Sequence, residues 1–159
     1  MTPSALSPTR AWSAAAASVA ALFALALAPP LLGGESGEAV RFAFSHVCHQ
    51  IPERSLALAG GPVALCHRCL GVVGGLALGT LAAPLVPRLG VLGRVRAGRS
   101  LALAALPMAV DWTVGALGLW ANTPLSRSAT GALFGAVAGL FLAHAFLDPP
   151  RPTLTPSYS

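Results

Sequence analysis

The stretch LGVVGGLALGTLAAPLV, residues 70–86, carries no charged side chain. It begins directly after Cys66-His67-Arg68-Cys69 and runs into a segment holding Arg88, Arg94, Arg96 and Arg99. Crossing the hydrocarbon core of a bilayer takes about 20 mostly apolar residues in a helix, with about 17 as the lower bound. Residues 70–86 meet that bound, so the stretch reads as a transmembrane helix with a polar motif at one end and arginines at the other. Three further stretches read the same way: about 11–32, 100–120 and 131–147. The expected fold is all-α, an integral membrane bundle of four transmembrane helices with a short extracytoplasmic cap. Its layout is a cytoplasmic N-terminus over 1–10, a membrane domain over 11–147 and a cytoplasmic tail over 148–159. Within the membrane domain, 33–69 forms the outer cap and 87–99 the inner arginine loop.

Composition agrees with that reading. Of 159 residues, 55% are hydrophobic and 9% charged, with mean hydropathy +0.71. A soluble domain averages about 25% charged residues. An ordinary cytosolic enzyme, a disordered tail and a fibrous repeat are all excluded. The net charge is +5 and every basic residue is an arginine. Such a balance in a soluble chain would suggest nucleic acid, but aromatics are few and no basic stripe exists. Basic flanks are instead what sets membrane topology, so no nucleic-acid partner is expected.

The first span follows Arg10, and Ala26-Leu27-Ala28 imitates a signal-peptide cleavage site. Pro29 directly after it argues against cleavage, and a retained helix is the preferred reading. Short arginine-rich loops stay cytoplasmic. With the N-terminus inside, Arg10, Arg88, Arg94, Arg96, Arg99 and Arg151 fall on the inner side, and both termini are cytoplasmic. Cys48-His49-Gln50, Cys66-His67-Arg68-Cys69 and Asn122 with Arg127 then share the outer face, and Asp111 on the third span can point to it.

Gly71, Gly75 and Gly79 recur every fourth residue on the second span, as do Gly131, Gly135 and Gly139 on the fourth. Small residues at that spacing let helices approach closely where lipid offers no hydrophobic drive. The two faces could pack in parallel within the chain, and a homo-oligomer through them is also open.

Chemistry centres on the cap. Cys66 and Cys69 are spaced to reach one metal ion, and Cys48 with His49 could complete a tetrahedral set, zinc being the expected ion. Pro52-Glu53-Arg54 suggests a short surface helix, and Gly60-Gly61-Pro62 turns the chain back so that Cys48 nears Cys66. The same cysteines could instead exchange disulfides, with His67 and Arg68 lowering a thiol pKa and Cys48 resolving. A stapling disulfide with a spare thiol is the plain alternative. Arg54, Arg68 and Arg127 lie where the topology rule disfavours arginine. Guanidinium groups bind phosphate or carboxylate in a fork, so an anionic ligand such as a lipid head group is expected, with Gln50 and Asn122 as further contacts. Snorkelling to lipid phosphates or pairing with acids would also explain them. Asp111 is the sole acid inside an expected span, where an ionisable group is costly unless paired or wet. It reads as partner of Arg68 or Arg127, metal ligand, or general base. His46 and His144 are weaker candidates. No phosphate-binding glycine loop, His-Glu-x-x-His or Gly-x-Ser-x-Gly motif is present.

Cys48-His49-Gln50, Glu53-Arg54-Ser55, Cys66-x-Arg68-Cys69-x-Gly71, Asp111, Asn122, Arg127 and Thr130-Gly131 together resemble domain of unknown function 2085, an uncharacterised prokaryotic membrane-protein family. The resemblance covers about residues 42–145 and implies a multi-span protein of a prokaryotic cell membrane, with those positions as its shared polar set. It implies no activity, substrate or cofactor, and His46 and His67 lie outside its pattern. The first functional expectation is a zinc-binding membrane enzyme acting on an anionic, lipid-like substrate. Cys48, His49, Cys66 and Cys69 would hold the metal, Asp111 and Arg127 would serve catalysis, and Arg54, Arg68, Asn122 and Gln50 would bind substrate. A thiol–disulfide oxidoreductase using Cys66 and Cys69 is the second. A non-enzymatic structural or partner-binding membrane protein is the third.

Overall fold

The computed structural model describes residues 7–86 and 94–147. The N-terminal six residues, the loop 87–93 with Arg88, and the tail 148–159 with Arg151 lie outside the described residues. Ser7 opens the chain's first helix, α1 (Pro8–Leu27): its hydroxyl accepts from the Arg10 N–H, and Pro8 occupies the first turn, where a missing N–H costs nothing. The span expected over 11–32 stops earlier than that. Pro29 and Pro30 cannot donate to a continuing helix, so the chain restarts as a single turn, α2 (Pro29–Leu32). Gly33 and Gly34, at φ +63° and +48°, then redirect it into α3 (Gly34–Ser45).

The cap is not wholly helical, which corrects the all-α expectation. A 3-10 turn over Pro52–Arg54 stands where a short surface helix was expected, and it feeds an antiparallel hairpin of β1 (Ser55–Leu58) and β2 (Gly61–Cys66). Ala59 and Gly60 sit at φ +47° and +83°, the left-handed pair that matches the twist of a two-residue hairpin turn. Ser55 pairs with Cys66 and Leu58 with Gly61. Val63, Ala64 and Leu65 are buried, and Arg41 of α3 donates from Nη1 to the carbonyls of Pro62 and Val63 at 3.1 and 3.3 Å. The cap's small core joins Phe44, Cys48, Ala64 and Leu65 to Ala26 at the end of α1.

β2 passes straight into α4 (His67–Ala82), extended by a 3-10 turn over Ala83–Leu85. α5 (Arg94–Ala116) ends ahead of the expected 120, where Gly118 at φ +70° closes the helix. α6 (Pro124–Leu147) begins two turns earlier than expected, because Pro124 fills its first turn and the Thr123 hydroxyl accepts from the Ser126 N–H at 3.0 Å. That earlier start carries Arg127 on a helix rather than a loop. Among the described residues, three helices, over Pro8–Leu27, His67–Leu85 and Pro124–Leu147, are long and apolar enough to cross a membrane. α5 is not among them: Arg99, Pro107, Asp111 and Thr113 dilute its apolar run.

α4 and α6 run parallel and meet through glycine. A Cβ on Gly71, Gly75 or Gly79 would strike the main-chain carbonyl oxygens of Ser128, Ala132 and Ala136; one on Gly131, Gly135 or Gly139 would strike those of Arg68, Val72 and Leu76. The two faces are therefore spent on each other inside one chain, which corrects the alternative of a homo-oligomer formed through them. At the far end, Trp12 Nε1 donates to the Thr80 carbonyl at 2.9 Å, tying the start of α1 to the end of α4. The starts of α4 and α6 thus lie together under the cap.

Candidate functional site

The hairpin turn, the register that sets Ser55 opposite Cys66, and the end of α3 bring three cysteines to one point. The sulfurs of Cys48, Cys66 and Cys69 all lie within 4.8 Å of one another. Cys48 is buried and its Sγ accepts from the Cys66 N–H at 3.3 Å. Cys66 caps the N-terminus of α4 in extended conformation, and Cys69 follows one turn along. The hydrogen bond from Cys69 holds the Cys66 thiol below the ordinary cysteine range, against the opposing effect of burial; Cys48 and the start of α4 add to it.

Beside the sulfurs lie two adjoining cavities of about 200 and 210 Å³. Arg54, Arg68, Arg127 and Trp112 line both. The sulfur side adds Cys48, Cys66, Cys69, His49 and Gln50, and the other side adds Asn122 and Gly115. Among the described residues, no acidic side chain lines either one. Arg54, Arg127 and the N-termini of α4 and α6, each with its positive dipole end, make this an electropositive hollow even with Arg68 offset by an acid.

Asp111 lies behind that hollow and is engaged by its neighbours. Arg68 Nη2 pairs with its Oδ2, the Ser126 hydroxyl donates to Oδ1 at 2.8 Å, and Asn122 Nδ2 donates to its main-chain carbonyl. Asn122 reaches that carbonyl only because position 115 is glycine; a Cβ there would collide with its amide oxygen. The pair is largely withdrawn from solvent, with 22% of the Arg68 and 10% of the Asp111 side chain exposed. Arg68 Nε is buried and has no hydrogen-bond partner among the described residues.

The convergence expected from the sequence is largely what the structure shows, with some members standing apart. His49 is exposed on the wall of the sulfur-side cavity and outside the group of three sulfurs. Gln50 lines the same cavity, but its amide donates to the Arg41 carbonyl at 2.6 Å. His46 is exposed and edge-on to Phe42. His67 opens α4 outside the sulfur cluster, and His144 is buried near Pro8 and Ala83 at the opposite end. Sequence reasoning missed Ser126 and Trp112. Ser126 had one signal, its place just before Arg127 and three residues after the capping Thr123. Trp112 had only its adjacency to Asp111.

Fold and site together define a helical membrane protein with a cysteine cluster and an arginine-lined hollow where two parallel helices begin. Residues 48–141 match a family model described as a predicted membrane protein, DUF2085, and the chain belongs to that family. It is 30% identical over 105 residues to an uncharacterised protein of Methanocaldococcus jannaschii, covering 66% of this chain and 67% of that one. No solved structure matches.

Proposed function

We propose that the chain is a four-span membrane protein with both termini cytoplasmic, α5 serving as the additional span. Its outer end binds a zinc ion through Cys48, Cys66 and Cys69 and holds an anionic, lipid-like substrate against Arg54, Arg68 and Arg127. One observation carries the reading: three sulfurs within 4.8 Å of one another open onto a cavity walled by those arginines. A tetrahedral zinc–thiolate site sets its sulfurs about 3.8 Å apart, given zinc–sulfur bonds of about 2.3 Å, so rotamer adjustment alone would close this cluster on an ion. Three thiolates leave a fourth position, to be filled by water, substrate or His49 from the cavity wall. Such an ion can act as a Lewis acid on a bound anion. Arg127, with Arg54, would neutralise the substrate's charge. Asp111 is a positioning residue, since its carboxylate is spent on Arg68 and Ser126. Asn122 would steady that arrangement and Gln50 would shape the wall.

The test is the metal content of protein purified in detergent without chelator, with a thiol count on the same sample. About one zinc per chain, lost in Cys66→Ser and in Cys69→Ser, is the expected result. No metal and a single free thiol would overturn it in favour of the redox reading. That second reading has its own support in the placement of Cys66 at the helix N-terminus with Cys69 one turn on and Cys48 in reach. A thiolate at Cys66 would attack a substrate disulfide and form a mixed disulfide. Cys69 or Cys48 would then resolve it, leaving the substrate as dithiol and the protein oxidised.

A further inference from the structure

The polar hollow does not end at the sulfurs. Beyond them lies an apolar cavity of about 480 Å³ between α1, the end of α3 and the first turns of α4, walled by Leu22, Phe44, Leu65, Val72 and Val73. Val47 and Cys69 line both this cavity and the arginine-lined one, so the two are neighbours across a two-residue sill. The volume falls in the range of about 300–1,000 Å³ typical of small-molecule sites. From Cys69 to Val73 the cavity descends one turn of α4, about 6 Å at 1.5 Å per residue. It therefore starts at the level of the arginines and drops toward the apolar part of the bundle.

An apolar cavity and an adjoining hollow walled by Arg54, Arg127 and an Arg68 whose only ionic partner among the described residues is Asp111 each call for an occupant, and one molecule can satisfy both. A free inorganic anion would engage the arginines and leave the apolar cavity without an occupant that matches it. A neutral lipid would fill the apolar cavity and leave Arg54 and Arg127 on the same wall without an anion, with the buried Arg68 Nε still unpartnered among the described residues. We infer that the site takes an amphiphilic anion, a membrane lipid whose phosphate lies among Arg54, Arg68 and Arg127 and whose hydrocarbon chain passes over Cys69 into the apolar cavity. This rests on the arginine half of the proposed function and is independent of the metal half. It would set the lipid's phosphate and first carbons beside the sulfur cluster.

The experiment is native mass spectrometry of the full chain in detergent, titrated separately with dipalmitoyl phosphatidate, dipalmitoyl glycerol and inorganic phosphate, with zinc measured on the same preparations. Phosphatidate is expected to bind one per chain, at least tenfold tighter than either probe that lacks one of its two parts. Arg54→Gln with Arg127→Gln should weaken phosphatidate at least tenfold and leave dipalmitoyl glycerol unchanged. Ala43→Phe and Leu22→Phe, at exposed positions on the apolar cavity's wall, should weaken phosphatidate and leave inorganic phosphate unchanged, with melting temperatures reporting that each variant is folded. Glycerolipid binding as tightly as phosphatidate would overturn the inference by removing the arginines' part. Full affinity in both folded cavity-filling variants would overturn it by removing the cavity's part. Lipid discrimination without zinc overturns only the metal reading, and zinc without lipid discrimination overturns only this one.

Discussion

Arg68 is the residue on which the site's electrostatics turn. It reaches Asp111 with one nitrogen, faces both cavities, and follows two residues after the cap of α4. Ion pairs lying between full burial and full exposure are worth more than the surface median and less than a fully desolvated pair. A double-mutant cycle of Arg68→Ala and Asp111→Ala should therefore show a coupling of about 2 kcal/mol in thermal unfolding. Independent effects of the two changes would mean that the carboxylate does not position the guanidinium. Ser126→Ala removes the hydroxyl donor to the same carboxylate and should cost about 1 kcal/mol, visible as a lower melting temperature. These polar residues were readable from sequence in proportion to how unwelcome they are in a membrane. Cysteine, aspartate and outward arginines stand out against alanine and leucine, so Cys48, Cys66, Cys69, Arg54, Arg68, Arg127 and Asp111 could all be singled out before their proximity was seen. Ser126 and Trp112 are ordinary at a bilayer interface, and nothing in their spacing announced a contact across helices.

Among the elements, the α4–α6 seam is the least forgiving. Its glycines face main-chain carbonyls, which cannot swing aside as a side chain can. Gly75→Ala and Gly135→Ala should each force the helices apart and lower stability by about 1–3 kcal/mol, the usual cost of overpacking. Gly98→Ala, where a Cβ meets nothing among the described residues, should leave the melting temperature unchanged or slightly raised, because alanine is the better helix former. The seam was legible because a four-residue repeat of glycine has a direct geometric meaning. Element ends were less so. Polar Ser126, Arg127, Ser128 and Thr130 look like a loop, yet they form the first turns of α6 once Thr123 caps them. The hairpin escaped notice because Ser55-Leu-Ala-Leu58 has no β-branched residue, and its strands are held by the turn at Ala59-Gly60 and by Arg41 from α3.

For the whole molecule, the proposed topology is the property open to direct test. An epitope inserted between Ala59 and Gly60, in the hairpin turn, should be reached by antibody outside the cytoplasmic membrane. Reporters fused after Arg99 and after Leu147 should both read as cytoplasmic. An extracytoplasmic signal after Arg99 would invert the proposed topology, put the cap on the cytoplasmic side and undo the shared outer face. The class of molecule was legible from charge content alone, since 9% charged residues cannot cover a soluble surface. The status of α5 was not, because Asp111, Pro107 and Arg99 make its composition intermediate, and only packing against α6 shows where its acid goes.

The glycine seam also bears on what the arginines can do. The carbonyl of Arg68 rests on Gly131, and the carbonyl of Ser128, next to Arg127, rests on Gly71. The backbones that carry these two guanidinium groups are thus in direct contact, with no flexible material between them. They behave as two posts set in one foundation: their footings cannot part, and any change of span between the two guanidinium groups has to come from the arginine side chains themselves.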